Sequence, residues 1–152
     1  MVNIVLLEPE IPQNTGNIAR TCAAIGADLH LIHPLGFEMS DKYMKRAGMD
    51  YWHHVNCREW PDWQTFISQC EPKRLWVIES GSEKLYTDVS YHAGDYLLFG
   101  RETRGIPESI CAKFAERWVT IPMPNPAARS LNLSNCVAIA AFEAVRQLTK
   151  KI

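Results

Sequence analysis

Three stretches of this chain set hydrogen-bonding side chains beside residues that stop regular structure, a combination suited to holding a polar ligand. Glu8 to Arg20 reads EPEIPQNTGNIAR, Gly100 to Pro107 reads GRETRGIP, and Ile121 to Asn135 reads IPMPNPAARSLNLSN. In the last, Pro122, Pro124 and Pro126 each fix a backbone dihedral and remove an N–H donor, so the segment neither continues a strand nor starts a helix. Ser130, Asn132, Ser134 and Asn135 then bring oxygens and amides to the place where a helix N-terminus leaves donors free. Such a loop can cradle a ligand. The plainer reading is that Ser130 or Asn132 is an N-cap and nothing more.

In the first stretch Gly16, Asn17 and Arg20 are spaced to share a helical face, which sets a guanidinium about one turn from a glycine. That arrangement suits an RNA phosphate or ribose, or else it is a capped helix with an exposed arginine. In the second, Arg101, Glu102 and Arg104 sit between Gly100 and Gly105, where Glu102 either orients a ligand or forms a salt bridge that shapes the turn. The stretch lacks the GK[ST] of a phosphate-binding loop and the spacing of a dinucleotide fingerprint, so a nucleoside triphosphate or NAD is poorly supported. No metal site is expected. His30 and His33 fall on opposite faces of a predicted strand, adjacent His53 and His54 point apart, and the five cysteines show no CxxC spacing. Lys42, Lys45 and Arg46 share a predicted helical face and are candidate phosphate contacts, or solvated surface.

Each of the three polar stretches follows a short apolar run that reads as a strand. Asn3–Leu7, Leu29–Ile32, Leu75–Ile78, Asp95–Phe99 and Trp118–Ile121 are predicted strands, with a further one beginning near Val55. Between them the pattern predicts helices from about Gly16 to Ile25 (capped by Asn14 or Thr15), Asp41 to Arg46, Pro61 to Gln69, Pro107 to Ala115 and Asn132 to Leu148. Strands and helices alternate, which predicts an α/β fold with a mostly parallel sheet flanked by helices. Ligands in such sheets bind beyond the carboxyl ends of the strands, where the three stretches lie. The last helix is apolar around most of its circumference, from Leu133 to Leu148, which implies burial on more than one side and hence a partner chain.

Whole-chain properties narrow the class. A length of 152 residues with 47% hydrophobic content suits one domain. The formal net charge of -1 means that any RNA contact rests on a local basic patch. Scattered, odd-numbered cysteines read as reduced thiols in a cytosolic protein. The N-terminus lacks the pattern of a signal peptide, and no run approaches the roughly 18 apolar residues of a membrane span. The five tryptophans read as packing residues.

Taken together, NTGNIARTC (Asn14 to Cys22), LFGRETRGIP (Leu97 to Pro107) and IPM followed by RSLNLSN (Ile121 to Asn135) resemble the three ordered motifs of the SPOUT methyltransferases, in particular the SpoU-type ribose 2'-O-methyltransferases. The opening NIVLLEPEIPQNTGNIAR and the segment DKYMKRAGMDYW narrow the resemblance to the minimal members that modify the tRNA wobble nucleotide. It covers nearly the whole chain. The resemblance implies a deep C-terminal trefoil knot, S-adenosylmethionine as methyl donor, a homodimer, the tRNA anticodon loop as substrate, and no appended RNA-binding domain. It matches Ile78, Gly100, Ile121 and Ser130 to cofactor-contacting positions, and Asn14, Arg20, Glu102, Ser130 and Asn132 to catalytic ones. Many relatives carry tyrosine where this chain has Phe142, so no hydroxyl there is essential.

Arg20 is often proposed in this family as a base. A guanidinium stays protonated in proteins, so Arg20 is expected instead to bind an RNA phosphate, to lower the pKa of the ribose hydroxyl and to face the cofactor of the partner chain. Rival expectations are a non-catalytic knotted RNA-binding module, and methylation of ribosomal RNA or another tRNA position.

Overall fold

Four strands of the sheet are buried on both faces, which is why they read as continuous apolar runs, whereas the strand that ends at Trp60 exposes Arg58 and Glu59. The structure, a computed structural model, describes residues 1–40 and 52–149. Elements are numbered over those residues. The expected Asp41–Arg46 helix, and with it Lys42, Lys45 and Arg46, lies outside them. Strand β1 is Asn3–Leu7, followed by helix α1 at Pro12–Ile25, β2 at Asp28–Ile32, β3 at Cys57–Trp60 and α2 at Trp63–Cys70. Then come β4 at Leu75–Ile78, β5 at Tyr96–Phe99, α3 at Glu108–Lys113, β6 at Trp118–Val119 and α4 at Leu133–Thr149.

The strands form one sheet in the order β3-β2-β1-β5-β4-β6, with every pairing parallel. Side chains alternate between its faces. Ile4 and Leu6 of β1, Leu97 and Phe99 of β5, and Trp76 and Ile78 of β4 pack with Ile18 and Cys22 of α1 and Val137, Ala140, Ala141 and Ala144 of α4. Val5, Leu7, Leu98, Leu75 and Val77 pack on the other face with Phe66 of α2 and Cys111 of α3. The α/β expectation holds, and Trp60 and Trp76 are core residues as expected.

The chain steps outward from β1 through β2 to β3, and then restarts on β1's other side. The strand order thus reverses between β1 and β5, and a crevice opens beyond their carboxyl ends at such a reversal.

Several boundaries differ from expectation for physical reasons. Helix α1 starts at Pro12, four residues before Gly16, because a proline in the first turn loses no helical hydrogen bond. Asn14 and Thr15 are therefore not caps; both are buried inside the helix, as is Gly16, which leaves that glycine closed rather than open beside Arg20. Gly26 ends α1 in the left-handed conformation, at φ 70°, as its position implied. Asp62 accepts from the Thr65 N–H at 2.7 Å and so starts α2 at Trp63 rather than Pro61. Strand β6 stops at Val119, short of Ile121, because Thr120 pairs instead with Lys84 and Tyr86 in the loop after β4.

Candidate active site

The loops after β1, β4, β5 and β6 enclose a cavity of about 560 Å³. Its apolar wall includes Ile78, Phe99, Ile121 and Leu133, and its polar wall includes Asn14, Glu79, Glu102, Ser130 and Asn132. One strand end thus supplies each side, and the loops must be held together for the cavity to exist.

A chain of hydrogen bonds holds three of them. The Glu102 carboxylate accepts from the Glu10 N–H at 2.9 Å, the Ile11 N–H at 2.8 Å and Asn14 Nδ2 at 3.3 Å. A carboxylate only accepts, so the Asn14 amide must present its NH2 to Glu102 and its oxygen to the other side. There Asn132 Nδ2 donates to Asn14 Oδ1 at 3.0 Å. That leaves Asn132 Oδ1 to accept from the Ser134 N–H at 2.9 Å, which caps helix α4. Both amide orientations are therefore fixed by Glu102 at one end and a helix N-terminus at the other.

A reciprocal contact tightens the same joint. Thr103 donates to the Glu10 carboxylate through its N–H at 3.0 Å and its hydroxyl at 2.8 Å. These two bonds hold the Glu10 carboxyl below the usual carboxylate range, with the charges of Arg104 and Arg101 adding to the effect. The β1 loop thus donates to a carboxylate of the β5 loop, and receives from its neighbour.

Glu79, the residue after β4, ties the remaining loops. Its Oε2 accepts from the Ile106 N–H at 3.0 Å and its Oε1 from the Ser80 N–H at 3.2 Å. Its backbone oxygen accepts from Trp118 Nε1 at 2.9 Å and Thr120 Oγ1 at 2.8 Å. Gly105, at φ +61°, rests against this carboxylate; a Cβ there would lie 2.8 Å from Glu79 Oε2. Gly100 is equally confined, since a Cβ on it would come 2.3 Å from the Gly105 carbonyl carbon. The glycine spacing of the second stretch therefore closes a tight loop, bridged by Arg101 N–H to Gly105 O at 3.2 Å and by the return bond at 2.9 Å.

The structure brings together most of the candidates. Asn14, Glu102 and Asn132 form one network, and Ile78, Gly100, Ile121 and Ser130 all line the cavity. Arg20 stands apart. It is exposed on α1 and outside the cavity lining of its own chain. Six residues from Asn14, it sits about 9 Å further along the helix and well round its circumference. Among the described residues no group of three His, Cys, Asp or Glu side chains is placed to hold a metal ion. Sequence pattern does not single out Glu10, Glu79 and Thr103 as site residues, and it gives Arg101, Arg104 and Arg129 of the lining no role there. For Glu79 the signal was available: it follows a strand, as the three chosen stretches do.

Comparison with known proteins agrees with this geometry. Residues 1–142 match the SpoU rRNA Methylase family. The chain is 49% identical over 149 residues to a tRNA (cytidine(34)-2'-O)-methyltransferase of Saccharophagus degradans, covering 97% of this chain and 96% of that protein. It is similar, at 47% identity and a TM-score of 0.90, to a solved structure described as giving insights into the 2-OH methylation of C/U34 on tRNA, with 98% of this chain and 97% of that one covered. The SpoU methyltransferase AviRb from Streptomyces viridochromogenes, solved in complex with the cofactor AdoMet, shares the fold at 24% identity and a TM-score of 0.83, over 96% of this chain and 60% of that one. With its carboxylate-tied loops closing a cavity at the sheet's reversal point, and with this match over most of its length, the chain belongs to the SpoU methylase family.

Proposed function

We propose that the protein methylates the ribose 2'-hydroxyl of tRNA nucleotide 34, a cytidine or uridine at the wobble position, with S-adenosylmethionine as donor. The observation that carries this reading is the convergence of all three motif loops on one cavity through Asn14, Glu102 and Asn132, in a chain so similar to enzymes named for that reaction. A cytoplasmic location follows from the substrate.

The cavity fits the donor. Its volume of about 560 Å³ lies in the range of small-molecule sites. Ile78, Phe99, Ile121 and Leu133 give an apolar wall for a purine ring, and the tight Gly100–Gly105 turn, Ser130 and Glu79 give polar groups around it. Ile78, Gly100, Ile121 and Ser130 would hold S-adenosylmethionine, which would supply an electrophilic methyl group on a sulfonium sulfur. The chain's task is then to position the ribose oxygen in line and to ease loss of its proton. Asn132 and Ser130 present polar groups to the ribose from the start of α4. Asn14 holds the Asn132 amide in its orientation, and Glu102 holds that of Asn14.

A homodimer completes the reading. On α4 the residues opposite the core, Ala138, Ile139, Phe142 and Val145, are apolar, and Phe142 is 51% exposed. The exposed position of Arg20 supports its action in the partner's site, where its charge would bind an RNA phosphate and favour the ionised hydroxyl. A C-terminal trefoil knot belongs to the same reading. It is supported by the pairing of Thr120 with the Lys84–Tyr86 loop at the sheet edge, while α4 returns to pack beside α1. The shared core and single sheet support one domain.

Nucleoside mapping of tRNA by mass spectrometry tests the function. Deleting the gene should remove 2'-O-methylcytidine or 2'-O-methyluridine from position 34; unchanged methylation there would overturn the reading.

A further inference from the structure

The cavity mouth carries a charge pattern that the network above does not explain. Arg101, Arg104 and Arg129 all line the cavity, against the carboxylates of Glu79 and Glu102. Both carboxylates are already engaged by backbone N–H groups. Arg101 is also engaged: its Nε donates to Gly105 O at 3.1 Å, it approaches Glu8 at 3.9 Å, and its side chain is 12% exposed. Arg104 and Arg129 differ. They are exposed, they come from different loops on the rim, and neither makes a salt bridge among the described residues. Glu10 feels the charge of Arg104 but gives its oxygens to Thr103.

Two guanidiniums held at the edge of an otherwise committed site are suited to an anion that arrives with the substrate. A chain of net charge -1 has no general field to attract RNA, so its affinity must come from local cations. Chemistry fixes where those cations are needed. Any ribose that presents its 2'-hydroxyl to the cavity brings the phosphodiester on its neighbouring carbon, and the next one along the strand, to the rim. Arginine matches phosphate oxygens with two parallel donors, which positions as well as attracts.

We propose that Arg104 and Arg129 form a two-sided seat for the RNA backbone phosphates flanking the methylated ribose. They are positioning residues that set the depth at which the ribose enters. The inference rests on the proposed RNA substrate, and it adds contacts within the chain that owns the cavity to any made by a partner.

The test is binding of an unmodified anticodon stem-loop, followed by fluorescence anisotropy across a salt series, with S-adenosylhomocysteine binding measured beside it. Arg104→Gln and Arg129→Gln should each weaken RNA binding about tenfold at moderate salt. Each should lower the slope of log affinity against log salt by about 0.7–0.9, as one lost phosphate contact requires. S-adenosylhomocysteine affinity should stay within about twofold. As a control, Lys73→Gln removes an exposed cation just before β4, at the opposite end of the sheet, and should leave the slope unchanged. Unchanged RNA affinity in both arginine variants would overturn the seat, as would an equal loss in Lys73→Gln. A loss of S-adenosylhomocysteine affinity in place of RNA affinity would also overturn it, since the arginines would then hold the donor's own carboxylate. Wild-type protein that binds the stem-loop with these slopes but transfers no methyl group would sink the proposed function and leave the seat standing.

Discussion

Asn132 and Asn14 are joined side chain to side chain at 3.0 Å across 118 positions of sequence, and the bond runs in one direction only. Asn14 must accept, because its NH2 is given to Glu102, and Asn132 must donate, because its oxygen caps α4. This direction separates two roles of Asn132 that a simple deletion would merge. Asn132→Asp keeps the cap oxygen and loses the donor, so the protein should stay folded with Tm within a few degrees. Its kcat should nevertheless fall by about 10–100-fold, the worth of a hydrogen bond that orients a reacting site. Asn132→Ala should lose the cap as well, at about 1 kcal/mol of stability. Thermal melts alongside single-turnover methyl transfer check both. An Asn132→Asp enzyme with normal kcat would show that the amide donor is idle.

Glu79 and Gly105 make a second prediction, about the cofactor loop. The left-handed φ of +61° and the 2.8 Å approach of a Cβ to the Glu79 carboxylate both penalise a side chain at Gly105. Gly105→Ala should cost about 1–2 kcal/mol from the backbone alone, before any shift of Glu79. The shift matters more, because Glu79 also binds the Ile106 N–H. S-adenosylhomocysteine affinity measured by calorimetry should drop at least tenfold. Glu79→Gln retains one acceptor oxygen for two clients, and should give a smaller loss. Equal affinities for wild type and Gly105→Ala would show that this loop does not shape the cavity.

These two joints show what was legible in the chain and what was not. The polar stretches could be found because proline, glycine and clustered amides announce loops by local chemistry, and apolar runs announce the strands before them. The start of α1 is only half legible: Pro12 is a local mark of a first turn, but the preceding N–H groups of Glu10 and Ile11 are satisfied by Glu102, some ninety residues away, and no local pattern encodes that partner. Helical spacing alone leaves Gly16 open, whereas packing of α1 on the sheet buries it. Glu79 is marked only by its place after a strand, because its clients are mainly backbone groups, which carry no sequence signature of their own.

The buried histidine predicts how stability responds to acid. His30 is 2% exposed and ringed by Trp60, Phe66 and Tyr96. Trp60 Nε1 donates to its Nδ1 at 3.0 Å, so the ring proton sits on Nε2, 3.2 Å from Asn3 Oδ1. Burial, aided by the charge of Arg58, pulls its pKa down from 6.5 to about 4. The folded form therefore resists a proton that the unfolded chain accepts. Between pH 6.5 and 4 the unfolded state binds more protons, and stability should decline as pH falls, by on the order of 3 kcal/mol in all. Above pH 6.5 the contribution is complete and flat. Urea unfolding at several pH values should show this decline in wild type and a shallower one in His30→Gln, where no imidazole titrates. Identical pH slopes would exclude His30 as the source.

The final prediction concerns Arg20, whose place on α1 leaves it outside its own chain's cavity lining. If it acts in the partner's site, two inactive variants should restore each other. Arg20→Ala and Asn132→Ala proteins are each expected to be nearly inactive alone. Unfolded and refolded together in equal amounts, half of the dimers carry one chain of each kind. In such a dimer one site pairs an intact Asn132 network with an intact Arg20 from across the interface, and the other site lacks both. About a quarter of all sites should then work, giving about a quarter of wild-type activity. Were Arg20 to serve its own cavity, every site in the mixed dimer would lack one residue or the other, and the mixture would remain inactive. Arg20→Lys should not substitute for the arginine, because an ammonium keeps the charge and loses the paired donors that grip a phosphate. Near-normal activity in Arg20→Lys across the pH range would reduce the role of this residue to charge alone.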